Sequence, residues 1–206
     1  MGVLRASEPR GPLLPGVLPS GWQRLRLWGK TGWCALLMLL SVSTSQAQSK
    51  EYQIKAAFLF NFAQFVLWPA TAFTNTSEPF QIGVLGDNPF GKALEEIVRG
   101  ETIQSRPIVI VQSSSVEKLA GCQVLFVSKS EAAHLKDVFT KLDSKPVLTV
   151  SEDPAFISHG GMINFYREGP KVRFEINSDA AARNGLKLSS ELLRVGKIVH
   201  TETPDK

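Results

Sequence analysis

The octapeptide Gly86-Asp87-Asn88-Pro89-Phe90-Gly91-Lys92-Ala93 follows the phosphate-binding pattern G-x-x-x-x-G-K-[ST] at every position but the last. Such a loop holds nucleotide phosphates on backbone N–H groups, with its lysine on the terminal phosphates and a hydroxyl on Mg²⁺. Here Ala93 has no hydroxyl and Pro89 removes one N–H, so the segment reads instead as a strand-to-helix turn, with Asp87 or Asn88 as cap and Pro89 in the first turn. The histidines His134, His159 and His200 have no carboxylate or cysteine at metal-ligand spacing, which argues against a metal site. No G-x-S-x-G elbow occurs, and Cys122 precedes the apolar run Val124-Leu125-Phe126, where a thiol is expected to be buried and inert. Gly160-Gly161 can line a pocket by close backbone approach, or simply form a tight turn. These residues assign no catalytic group, no metal and no cofactor.

The charge distribution narrows the class of partner. The 206-residue chain carries a formal +4, yet residues 1–47 alone hold Arg5, Arg10, Arg24, Arg26 and Lys30 against Glu8. Residues 48–206 hold 18 Lys and Arg against 18 Asp and Glu, so this part has no electrostatic case for binding nucleic acid. Arg24, Arg26 and Lys30 precede an uncharged apolar run from Trp33 to Leu40, followed by the small and polar residues Ser45-Gln46-Ala47. This pattern predicts a secretory signal peptide over 1–47, removed on export, and therefore a periplasmic protein. The run falls short of the roughly 18 apolar residues a spanning helix needs. The domain is expected over 48–200, with a flexible tail at 201–206. It is long enough to bury about 70% of its unfolded surface. After cleavage it would hold one cysteine, Cys122, and no intrachain disulfide.

The elements that must position these residues begin with Ile54 to Trp68, IKAAFLFNFAQFVLW, whose length and terminal Pro69 predict a helix. Lys55, Asn61 and Gln64 do not share a face, so the helix must be covered on more than one side. A second copy of the chain could cover it, as could the chain's own hairpin or final helix. Strands are expected at Phe80–Leu85, Ile108–Val111, Gln123–Val127 and Val147–Val150, with helices at Pro89–Val98, Ser115–Leu119 and Glu131–Leu142 between them. Met162–Tyr166 and Val172–Ile176 flank a turn, and Leu188, Leu192, Val195 and Val199 suggest a final helical stripe capped by Ser189. The expected fold is α/β, a mostly parallel sheet with helices on both faces and a C-terminal antiparallel hairpin.

Taken in order, Lys55-Ala56-Ala57-Phe58-Leu59-Phe60-Asn61-Phe62, Phe65, Trp68-Pro69, the turn Gly86 to Gly91, Cys122 with Val124-Leu125-Phe126, Leu148-Thr149-Val150, Gly160-Gly161-Met162-Ile163, Phe174-Glu175-Ile176-Asn177 and Leu188-Ser189-Ser190 with Leu192-Leu193 resemble the YfiR family of periplasmic regulators. The resemblance covers about residues 50–199. It implies a small, often dimeric α/β domain without catalysis that represses a membrane-bound diguanylate cyclase by binding its periplasmic part, with consequences for cyclic di-GMP and biofilm. Redox control through intrachain disulfides, part of that setting, is not shared by a chain with Cys122 alone.

The reading that follows is an exported, non-enzymatic regulator of a membrane diguanylate cyclase or sensor kinase. Partner- or dimer-interface candidates are Phe58, Asn61, Phe62, Phe65, Trp68, Leu192 and Val195. The runner-up is a periplasmic sensor domain for an unknown small ligand, with a pocket at the carboxyl ends of the parallel strands. Its candidates are Gly86, Asp87, Phe90, Ser128, Gly160, Gly161, Arg173, Glu175 and Asn177. An exported hydrolase stands third.

Overall fold

A computed structural model describes residues 48–200, so the expected signal segment 1–47 and tail 201–206 lie outside the described residues. Helix α1 covers residues 48–64 and stops short of the expected Trp68. The chain there turns extended, and β1 (Val66–Leu67) pairs antiparallel with β9 (Lys187–Leu188). The Ser189 N–H donates to the Phe65 carbonyl at 2.9 Å. Trp68 Nε1 donates to the Ala63 carbonyl at 3.1 Å and so satisfies one acceptor at the helix end.

The elements that follow are β2 (Phe80–Leu85), α2 (Ala93–Val98), β3 (Thr102–Ile103), β4 (Arg106–Ser113), α3 (Val116–Leu119), β5 (Val124–Val127), α4 (Leu135–Lys141) and β6 (Leu148–Ser151). Then come the hairpin strands β7 (Ile163–Glu168) and β8 (Lys171–Ile176), followed by α5 (Ser178–Arg183), α6 (Ser190–Val195) and β10 (Lys197–Ile198). Eight strands form one sheet in the order β10-β8-β7-β6-β5-β2-β4-β3. Its pairs are parallel except β7 with β8 and β3 with β4.

Side-chain alternation along the central strands builds two cores. Phe80, Ile82, Val84, Val124, Phe126, Leu148 and Val150 face a cluster completed by α1, α2 and α5. Leu85, Leu125 and Val127 face the opposite cluster, completed by Val116 and Leu119 of α3, by Leu135 and Val138 of α4, and by Cys122 and Phe156. This is the expected mostly parallel sheet with helices on both faces and a C-terminal hairpin.

Several boundaries differ from expectation. Residues Pro89 to Lys92 form a turn, and α2 begins only at Ala93, with the Asn88 side chain accepting from the Phe90 N–H at 2.9 Å. Pro89 contributes to that turn rather than to a first helical turn. The expected C-terminal stripe breaks up because α6 ends at Val195: Leu192 is buried, Val195 is 65% exposed and Val199 lies beyond β10. Gly196 lets β10 lie on the hairpin, because a Cβ there would come within 2.5 Å of Ile176.

The hairpin covers the first helix. Phe62 stacks on Phe165 with ring centroids 5.7 Å apart and meets Phe174 edge-on at 4.9 Å, while Phe58 contacts the same two rings. Of the three covers the sequence left open, the chain's own hairpin occupies this face.

Candidate functional site

Among the fully buried positions of α1 one residue is charged. Lys55 is 3% exposed. Glu51 lies one turn before it and Tyr52 three residues before it, so all three share a face of the helix. The Lys55 ammonium pairs with Glu51 at 2.5 Å and with Glu152, which directly follows β6 at its carboxyl end. Glu152 Oε1 also accepts from the Tyr52 hydroxyl at 2.8 Å and lies 3.5 Å from the Lys129 ammonium. Arg167 Nη1 approaches Glu51 at 3.5 Å. The Lys55 nitrogen lies 4.7 Å from the Tyr52 ring centroid, a cation–π contact.

The electrostatics follow from this packing. Burial pushes the Glu152 carboxyl up, but the hydrogen bonds from Lys55 and Tyr52, with the Lys55 and Lys129 charges behind them, hold it below its ordinary value. Burial pushes the Tyr52 hydroxyl up, and its bond to Glu152 and the carboxylate charges push it further. Glu152 is thus a paired, ionised acceptor.

This network forms one wall of a cleft of about 370 Å³, whose lining includes Lys129, Pro154, Asn164, Phe165, Tyr166, Arg167 and Glu175. Asn164 and Glu175 are directly opposed across the β7–β8 pair. Asn164 is 3% exposed, and its Oδ1 has no hydrogen-bond partner. A cleft whose cations are paired while, among the described residues, the Asn164 and Glu175 acceptors are not is suited to holding a polar ligand.

The expected pocket residues are distributed unevenly around this place. Glu175 lines the cleft, and Ser128 caps the short helical turn that carries Lys129 by accepting from the Ser130 N–H. The end of β2 is closed: a Cβ at Gly86 would meet Ser130 Oγ at 2.3 Å, and that hydroxyl accepts from the Asp87 N–H. Phe90 is buried against Phe126. Gly161 makes its close approach to the Phe156 ring, 2.2 Å from an added Cβ, whereas Gly160 lines a separate cleft of about 140 Å³ with Thr149 and Arg183. Arg173 is exposed and pairs with Glu168 at 3.1 Å. Asn177 is buried and caps α5 by accepting from the Ala180 N–H.

The interface candidates divide as sharply. Phe62, Trp68 and Leu192 are buried in the core of their own chain, Phe62 against the hairpin rings and Trp68 against Phe80, and Phe58 is half-buried. Asn61, Phe65 and Val195 remain on the surface.

Sequence reasoning missed Tyr52, Lys55, Lys129, Glu152 and Asn164. A signal for one of them was present: Lys55 is the lone charge in the apolar stretch from Ile54 to Trp68, and such a lysine needs a buried counter-charge or a route to water. Its partner, 97 residues on, carried no local mark.

Among the described residues no group of three or more His, Cys, Asp or Glu is arranged to hold a metal ion, and no helix is long and apolar enough to cross a membrane. The family model described as YfiR/HmsC-like matches residues 52–197, from Tyr52 on α1 to the first residue of β10.

Proposed function

Because the chain belongs to the YfiR/HmsC-like family, we propose that it is an exported, non-enzymatic regulator that binds and represses the periplasmic part of a membrane diguanylate cyclase, and so lowers cyclic di-GMP and restrains biofilm. The observation that carries the reading is the extent of the match, which takes in both cores, the hairpin and the cleft. The charge step within residues 1–47 supports export, and the balanced charge of the remainder suits a protein partner better than a nucleic acid. Exposed Phe65, Leu67 and Val195 offer apolar contacts for that partner or for a second copy in a homodimer. Deleting the gene in its host should raise cyclic di-GMP, and the affinity-tagged chain should capture a cyclase from solubilised membranes. Unchanged cyclic di-GMP together with no captured cyclase would refute the reading.

A second reading is favoured by one observation, the orphaned Asn164 Oδ1 in a cleft sized for a small molecule. On this reading the domain senses a small periplasmic ligand and transmits its presence to a sensor kinase or other receptor. Calorimetry on the purified protein separates the two, since it involves no partner.

A further inference from the structure

The cleft has an imbalance of donors and acceptors. Its cations are committed: Lys55 to Glu51 and Glu152, Lys129 to Glu152, Arg167 to Glu51. Two of its acceptors are not. Asn164 Oδ1 is buried without a partner, and the Glu175 carboxylate has no ion pair or side-chain hydrogen bond among the described residues. These two residues are register partners on adjacent strands, a relation that places their Cβ atoms about 5 Å apart on one face of the sheet.

A buried amide oxygen left unpaired carries an uncompensated desolvation cost, which is removed when a donor enters. A neutral hydroxyl would satisfy Asn164 but leave Glu175 unanswered. A carboxylate or phosphate would face two further acceptors. A group with several N–H donors and a positive charge answers both, and Tyr166, which also lines the cleft and shares a face of β7 with Asn164, supplies an aromatic wall for its carbon chain. The cleft, at about 370 Å³, matches small-ligand sites, and Asn164 lies too deep for a flat protein surface to reach.

We propose that this cleft binds a small organic amine, its ammonium or guanidinium head held between Glu175 and Asn164. The proposal rests on the ligand-sensing reading above and gives that ligand its chemical class. Glu175 is half-buried, so Glu175→Gln retains the fold while removing the charge.

The test is calorimetric titration of the purified protein at low salt with agmatine and with putrescine, using glutarate as a dianion of similar length. Either amine should bind saturably at one site, Glu175→Gln should weaken that binding by roughly tenfold or more, and glutarate should not bind. No saturable binding of either amine, equal binding by Glu175→Gln, or glutarate binding as well as the amines would each overturn the proposal. A failed titration would leave repression of a cyclase untouched, since that reading stands or falls on the membrane capture.

Discussion

Lys55 and Glu152 form a buried ion pair across 97 residues of chain, joining the face of α1 to the carboxyl end of β6. The pair, with the Tyr52 hydroxyl bonded to the same carboxylate and Arg167 near Glu51, fastens the first turns of the helix to the sheet through polar contacts. Removing one partner strands the other charge. Lys55→Met and Glu152→Leu should each destabilise the fold by about 3 kcal/mol in urea unfolding. The double variant should cost clearly less than the two together, which a double-mutant cycle measures directly.

The same carboxylate sets an acid limit on stability. Glu152 in the fold lies below its ordinary value of 4.5, so its contribution is complete above that pH and is lost as the pH falls through the folded value. The difference in urea midpoint between the wild type and Glu152→Gln should therefore be constant near neutrality and shrink progressively below about pH 4.5.

Gly161 is a packing requirement. An added Cβ would lie 2.2 Å from the Phe156 ring, which is itself fully buried. Gly161→Ala should cost about 1–3 kcal/mol, and trimming the ring in Gly161→Ala/Phe156→Leu should recover part of it, as denaturant midpoints would show.

Cys122 is buried, and burial pushes its thiol up to about 11. Ellman's reagent at pH 8 should leave it unmodified in the native protein, and labelling in rising urea should follow global unfolding. Reductant should change neither the fold nor the unfolding midpoint.

Surface association, where it occurs, must use the residues the hairpin leaves uncovered. Phe65→Glu and Val195→Glu change side chains that are 39% and 65% exposed, so both should fold with midpoints near the wild type. If either lies at a homodimer contact, light scattering should show the wild type at twice the mass of that variant across micromolar concentrations.

The sequence made the sheet legible because its signals are local. The short apolar runs at Phe80–Leu85 and Val124–Val127, buried almost throughout, identify strands wherever they end up in the sheet. The end of α1 was less legible: Val66 and Leu67 continue an apolar helical pattern and leave it because Lys187 and Leu188 offer a pairing edge more than a hundred residues later. The cleft was not legible. The rule that open parallel sheets bind ligands at their carboxyl ends pointed toward Gly86, where Ser130 fills the space. The opening lies beside β6 and β7, and its ionic frame is made by residues distant in sequence, whose meeting no spacing rule predicts.

The aromatic cover over α1 also dictates an order of events during folding. The helix carrying Phe58 and Phe62 is synthesised first, while Phe165 and Phe174, which shield it, come from the last third of the chain. Contacts of such long range form slowly, and until they form an apolar helix is left without its lid. A nascent chain of this topology thus presents the aromatic face of α1 before its cover exists, and that exposure lasts until β7 and β8 emerge.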